Sequence, residues 1–460
     1  MRGQALFAVL GVAVACAAGA CGGTTNASIP DAGDDGDDSS TVGHDASGGG
    51  DASMHADAGD DATPVDAPVD MGNPNGMYGA PSTTYPAFTP EMGQLVTNGG
   101  PHLTSPVVVT ITWANDDATS VSTFEGFGDG LGPSTYWSTA VSEYGVGATT
   151  SGAANHIHIA NSAAASVTDA DLQSFLQQGA GSTLPAATDQ TIYVMYLPAG
   201  TSLQFNGGDA CQQGVGGYHQ GIQLGGTASA YAVIPRCGGG GAMGDQTATL
   251  AASHEIGEAS TDPQPDNGLF GFDDAHIAFD YWYGFNAMEN GDACEFFKSS
   301  FYLNGQPFQY AVQRLWSNKS GAAGHAPCVP APTSAYFNVT PLELQDITID
   351  LSQLGGPASF QTKGYHAAVG GMVTFPIGFY SDAATTPFTV TAESGNSLIN
   401  QATTRLTLSI DPNKTSGVNG EKTYVTAKVN STGTTKGELL TLITTRAGLT
   451  SYMPVLIGSM

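Results

Sequence analysis

The chain has 460 residues, 41% of them hydrophobic, enough for a large core and, at usual domain sizes, for two folded units plus unstructured sequence. Lys+Arg number 12 against 41 Asp+Glu, a formal charge of -29, and no Lys or Arg lies between Arg2 and Arg236. Binding a phosphate backbone needs a basic face, so nucleic acid is not an expected partner.

The opening stretch MRGQALFAVLGVAVACAAGACGGTT has one positive residue, an apolar run too short to span a bilayer, and small residues ahead of cysteine. It reads as a signal peptide over residues 1–21. The stretch AGAC ending at Cys21 resembles a bacterial lipoprotein cleavage box, with Ala in place of Leu at its first position, so Cys21 is the expected lipidation site. Cys16 is the alternative, and cleavage without lipid, followed by release into the medium, is the competing outcome. The expected location is therefore the bacterial cell surface or outer membrane, with membrane contact through the N-terminal lipid only. Residues 22–77, loaded with Asp, Gly, Ala and Ser, cannot bury enough surface to offset chain entropy and read as a disordered tether. Its aspartates lack the Gly and Glu placement of an EF-hand loop.

From residue 78 strand and helix signals alternate. SPVVVTITWAN reads as a buried strand, STYWSTAVSEYG as an amphipathic helix, and NHIHIA as a strand with Ile157 and Ile159 on one side and His156 and His158 on the other. SVTDADLQSFLQQG has a Thr cap, an acidic first turn and a Gly stop, the marks of a complete helix. DQTIYVMYLPAG and SAYAVIPRC read as two further strands. The glycine run after Cys237 lacks the Gly-Lys-Ser/Thr ending of a phosphate loop and reads as a mobile loop. It leads into an Ala- and Leu-rich helix that Asp245 can cap and Asp262-Pro263 ends.

Residues 332–460 hold short alternating runs, among them GMVTFPIGFY, TYVTAKVN and LLTLITTRAG, separated by Gly, Asn and Asp turns. That spacing, without helices, predicts an all-β immunoglobulin-like sandwich. Its one histidine, His366, reads as solvent-facing or structural. Cys211, Cys237, Cys294 and Cys328 form no C-x-x-C pair, and an even count in an exported chain favours two disulfides. Pairing of neighbours, Cys211 with Cys237 and Cys294 with Cys328, is expected; the other two pairings remain open.

The segment SHEIGEASTDP lies on the predicted helix. Residues four apart share a helix face, so His254 and Glu258 can reach one cation while Glu255 holds a water from a neighbouring face. The usual device is H-E-x-x-H, with two His ligands and a Glu base; here Glu258 replaces the second histidine. A catalytic zinc needs a third protein ligand. The candidates are Asp262; Asp273, Asp274 and His276; Glu289 and Asp292; and His219. Asp262 lies about 12 Å along the helix from His254. Glu289 and Asp292 fit better, one as a ligand and the other orienting His254, with Cys294 holding their segment in place. The competing reading is a solvated, N-capped helix with an internal ion pair, and taken singly His156, His158, His219 and His276 read as surface or core histidines. No G-x-S-x-G elbow is present, and oxidised cysteines make poor nucleophiles.

The ordered series GPHLTSPVVVTITWAN, PSTYWSTAVSEYG, CQQGVGGYHQG, YAVIPRC, SHEIGEASTDP and ENGDAC resembles the layout of the phosphate-induced, exordium-like secreted proteins, including bacterial relatives with an HExxE helix. It covers roughly Gly93 to Cys328 and implies an extracellular domain. The helix itself resembles the active-site helix of zincin peptidases over about a dozen residues. That resemblance implies a zincin-like α+β domain, residues 78–331, with a mixed sheet before the helix. It also implies a Zn²⁺ cofactor, Glu255 as general base, His219 steadying the oxyanion, and an extracellular protein, peptide or cell-wall substrate. A non-catalytic surface module for binding or adhesion is the alternative.

Overall fold

The computed structural model describes residues 77–97, 99–265, 270–285 and 289–459. The expected signal peptide, Cys16, Cys21 and all of the expected tether except Met77 lie outside them. Among the described residues, no helix is long and apolar enough to cross a membrane.

The strands and helices preceding the His254 segment form one α/β layer structure. In chain order they are Val107–Trp113 (β1), Ala118–Leu131 (α1), Thr135–Val141 (α2), His156–Ile159 (β2), Asp169–Gly179 (α3), Thr191–Tyr196 (β3), Tyr218–Leu224 (β4), Thr227–Ile234 (β5) and Gly241–Thr261 (α4). The sheet runs β2-β1-β3-β5-β4, parallel except for the antiparallel edge strand β4. Alternation along each strand feeds two cores. Ile192, Val194 and Tyr196 of β3 and Ala230, Ala232 and Ile234 of β5 meet α1, α2 and α4. Tyr193, Met195, Tyr231 and Val233 meet Leu172 and Leu176 of α3 on the other face. The capping box expected for α3 is present, with Thr168 and Asp171 bonding each other's backbone. Helix α1 and strand β4 escape sequence reading, because DDATSVSTFEGFGDGL is rich in Gly, Ser and Thr, and YHQGIQL has a glycine at its centre.

Helix α4 departs from expectation at its start. Its N-cap is Gly240, with no side-chain cap, and Asp245 lies inside the helix as an ion-pair partner. Arg236, the first cation after Arg2, donates from Nη2 to Asp245 Oδ1 and Ser120 Oγ, both at 2.8 Å, and from Nη1 to Asp116 Oδ2 at 3.2 Å. Its guanidinium also lies 4.9 Å from the centre of the Phe124 ring. One buried cation thus joins the start of α4 to the start of α1, where pairing with Arg236 satisfies a carboxylate better than capping an exposed turn. The glycine run before α4 forms a close turn, in which a Cβ on Gly244 would stand 1.9 Å from the Gly239 carbonyl oxygen.

The C-terminal region is β-rich and two-sheeted. One sheet orders Phe337–Pro341, Met372–Ser381, Lys422–Val429 and Leu406–Ile410. The other orders Gln345–Ile349, Phe360–His366, Leu449–Gly458, Gly437–Arg446, Phe388–Asn396 and Gln401–Ala402. Pairing is antiparallel except where Tyr365 and His366 run parallel to Ile457 and Gly458. His366 is exposed, as expected. The core between the sheets is continuous with Phe272, Phe279, Trp282, Tyr283 and Trp316 of the preceding region. Asn396 donates to the Trp282 carbonyl at 2.6 Å, and the Trp282 ring lies 5.5 Å from Tyr452. The disulfides are Cys211–Cys237 and Cys294–Cys328, the neighbour pairing.

Two stability predictions follow from buried charge. Arg236→Met leaves Asp116 and Asp245 buried without their cation and is expected to cost about 3–5 kcal/mol, read from the denaturant midpoint at unchanged slope. A loss below about 1 kcal/mol would refute this role. Asp280, inside the shared core, is pushed up to about 8, first by burial and then by Asp273 and Asp274. A raised acid favours folding fully below its unfolded pKa near 4, and that support drains away as pH climbs to about 8. Asp280→Asn, neutral throughout, should melt above the parent at pH 9, by an amount equivalent to roughly 4–6 kcal/mol at most, with the gap closing near pH 4.

Candidate metal centre

Helix α4 is not a solvated helix. Every residue from Ala251 to Thr261 is buried and the N-cap Gly240 has no side-chain cap, so the competing reading of a solvated, N-capped helix fails. Three further elements close on it. In β4, Tyr218, Ile222 and Leu224 pack into the α3-side core, and the strand's period of two then turns His219 toward α4. The short helix Asp292–Glu295 (α5) brings up Glu289 and Asp292, and strand Ala311–Gln313 (β6) lies along α4 and supplies Gln313. The Cys294–Cys328 bridge and the bond from the Tyr283 hydroxyl to the Ala293 carbonyl hold α5 from behind.

His254 is fixed by a chain of bonds. Gln313 N donates to Ser253 Oγ at 2.9 Å, and its side-chain Nε2 donates to the Gly291 carbonyl at 2.7 Å, which orients the amide. Gln313 Oε1 is then the acceptor facing His254 Nδ1 at 3.0 Å, so Nδ1 carries the proton. In the neutral ring, Nε2 presents its lone pair to Glu258 Oε1 at 3.0 Å and Asp292 Oδ1 at 3.5 Å. His254 Nε2 and both Asp292 carboxylate oxygens are buried without a hydrogen-bond partner, because the 3.0 Å approach to Glu258 lies off the hydrogen-bond direction. Donors bound tetrahedrally at zinc distances stand roughly 3.3–3.6 Å apart; Asp292 Oδ1 stands at that spacing from His254 Nε2, and Glu258 Oε1 is closer, at 3.0 Å. His254, Glu258 and Asp292 are thus placed so that they could hold a metal ion.

His219 is the residue whose isolated reading changes most. It is 5% exposed, and its Nε2 faces the Asp262 carbonyl at 3.1 Å, which can only accept. Its Nδ1 faces Glu255 Oε2 at 3.5 Å and Glu258 Oε2 at 3.6 Å, while Nε2 lies 3.6 Å from Glu289 Oε1. His219, Glu258 and Glu289 make a second group able to hold an ion. Asp262, expected to be out of reach along the helix, is the residue on which α4 ends, and its backbone carbonyl serves the site through His219.

The other candidates stand elsewhere. His276 pairs with Asp273 at 2.6 Å and Glu91 at 3.3 Å; burial opposes its charge, but these acids outweigh it and push it up to about 9. His156 and His158 pair with Asp129 and Glu125 of α1, each at 2.9 Å. Gln313 is the site residue that sequence reading missed; nothing in AVQRLW distinguishes a glutamine that orients a ligand from any other in a strand.

Electrostatics in the cluster is dominated by burial among acids. Burial raises Glu255, Glu289 and Glu295, and pushes Asp292 up to about 7 with the help of Glu258. Burial would raise Glu258 too, but the imidazoles of His254 and His219 outweigh it and hold that carboxylate low. Burial opposes charge on the imidazoles, and the surrounding carboxylates overcome it and raise both. Among the described residues, no Lys or Arg pairs with any of these acids, so the compensating charge must be protons or a bound cation.

Comparison with protein-family models finds no match to this chain, and comparison with curated proteins finds no relative.

Gly291 approaches the site so closely that an added Cβ would stand 2.7 Å from Glu258 Oε1 and 2.9 Å from His254 Nδ1. Gly291→Ala, and Gln313→Leu, which frees the His254 ring, should each weaken zinc binding on the order of 10- to 100-fold with the fold retained. Competition with a chromogenic chelator measures this, and parental affinity in both variants would contradict the assigned geometry.

Proposed function

We propose that the chain is an exported zinc-dependent peptidase acting on extracellular protein, peptide or cell-wall substrate, with its metal held by His254, Glu258 and Asp292. The observation that carries the reading is the fixed His254 ring, whose Nε2 meets two carboxylate oxygens at 3.0 and 3.5 Å without hydrogen-bond geometry. The mixed sheet with an antiparallel edge strand beside α4 supports a zincin-like architecture for the first unit, and the two-sheet C-terminal region supports an immunoglobulin-like sandwich. Two disulfides support an oxidising compartment, in keeping with the exordium-like layout of Gly93–Cys328, the lipid anchor at Cys21 and a cell-surface location.

Bound zinc supplies Lewis acidity toward a peptide carbonyl and makes a water acidic near neutral pH. Glu255, raised by burial and with Oε1 free of hydrogen bonds, accepts a proton from the attacking water and returns it to the departing amine. His219 spends its Nε2 proton on the Asp262 carbonyl, so in this reading it orients Glu255 through Nδ1 and does not donate to an oxyanion. Two carboxylate ligands leave the ion a weaker Lewis acid than two imidazoles would, which predicts modest turnover.

Glu255→Gln is expected to keep its zinc and lose cleavage by roughly 10²- to 10⁴-fold, whereas Glu258→Ala should lose both. Elemental analysis beside a peptide-library digest distinguishes the two, and undiminished cleavage by Glu255→Gln would remove the catalytic assignment.

A further inference from the structure

His219 and His254 fall in different candidate ion-binding groups. Two ligands on one zinc cannot stand more than roughly 4.4 Å apart, since each bond is at most about 2.2 Å. Among the described residues, the groups whose ligand atoms all lie within 4.8 Å of one another are His254 with Glu258 and Asp292, and His219 with Glu258 and Glu289. Neither group contains both histidines. Glu258 belongs to both and divides its oxygens between them, Oε1 at 3.0 Å from His254 Nε2 and Oε2 at 3.6 Å from His219 Nδ1.

Each half also has buried ligand atoms without hydrogen-bond partners. They are His254 Nε2 and the two Asp292 oxygens on one side, and Glu289 Oε1, on a residue only 6% exposed, on the other.

We propose that the cluster binds two divalent first-row cations bridged by the Glu258 carboxylate. The first sits among His254, Glu258 and Asp292, as in the reading above on which this inference rests. The second sits among His219, Glu258 and Glu289, whose ligand atoms lie within 4.8 Å of one another. One imidazole with carboxylates on each side is a hard, oxygen-rich set, suited to zinc, manganese or iron(II) and unsuited to thiolate-preferring ions. A carboxylate-bridged pair is the arrangement by which two-metal hydrolases clamp both the attacking and the leaving oxygen.

The test counts metal and needs no substrate. The full chain, stripped with chelator, loaded with zinc alone and desalted, should hold two zinc per chain. Glu289→Gln and Asp292→Asn should each hold one, and Glu258→Gln should fall below one, with circular dichroism confirming that each variant is folded. A cobalt titration of the unaltered chain, followed by visible absorption, should break at two equivalents, which decides the stoichiometry even if a variant misfolds. One zinc in the parent, unchanged in Glu289→Gln, overturns the second position and leaves the single-ion reading standing. No zinc in the parent overturns both.

Discussion

Four carboxylates and two imidazoles are packed together out of water around one face of α4, and among the described residues no Lys or Arg pairs with them. Uncompensated charge in such a place is among the costliest features a fold can carry. The elements around α4 enclose buried carboxylates and imidazoles that could hold a metal ion. Most of the elements that close on the site contribute a donor or fix one: β4 brings His219, α5 brings Asp292, and β6 brings Gln313. The Asp292 backbone N–H, 2.9 Å from Glu258 Oε1, holds the shared carboxylate in place without adding charge.

Arg236 makes an instructive contrast. It too is buried among acids, Asp116 and Asp245, but there the chain brings its own cation, and the result is a structural tie between α1 and α4. Two acidic pockets lie along one helix, one closed by a guanidinium and the other, among the described residues, with no Lys or Arg paired to its acids. The first group ties two helices together, and the second could hold a metal ion.

The C-terminal sheets bear on the site through packing. Their core runs into Trp282 and Tyr283, and Tyr283 bonds the Ala293 carbonyl next to Asp292. The Cys294–Cys328 bridge adds a covalent restraint on the same short helix. A ligand on so short a helix is only as well placed as its support, and here that support comes from the β-rich region as well as the disulfide.

Much of this was legible in the residues themselves. Strong local signals, such as the Thr168 capping box, the apolar runs of β1, β3 and β5, and the Asp262-Pro263 stop, marked their elements because each depends on neighbours within a turn or two. Fourfold spacing alone put His254 and Glu258 on one helix face, and cysteine spacing favoured the disulfide pairing found. The partners of that face were decided only by tertiary structure. Asp245 went to Arg236 because a cation nine residues before it in the chain folded back within 2.8 Å, and His219 entered the site because an antiparallel edge strand with a central glycine turned it toward α4. Local sequence sets which way a side chain faces along its own helix or strand. What it then meets depends on contacts between residues tens of positions apart, whose registry is chosen by the packing of the whole core.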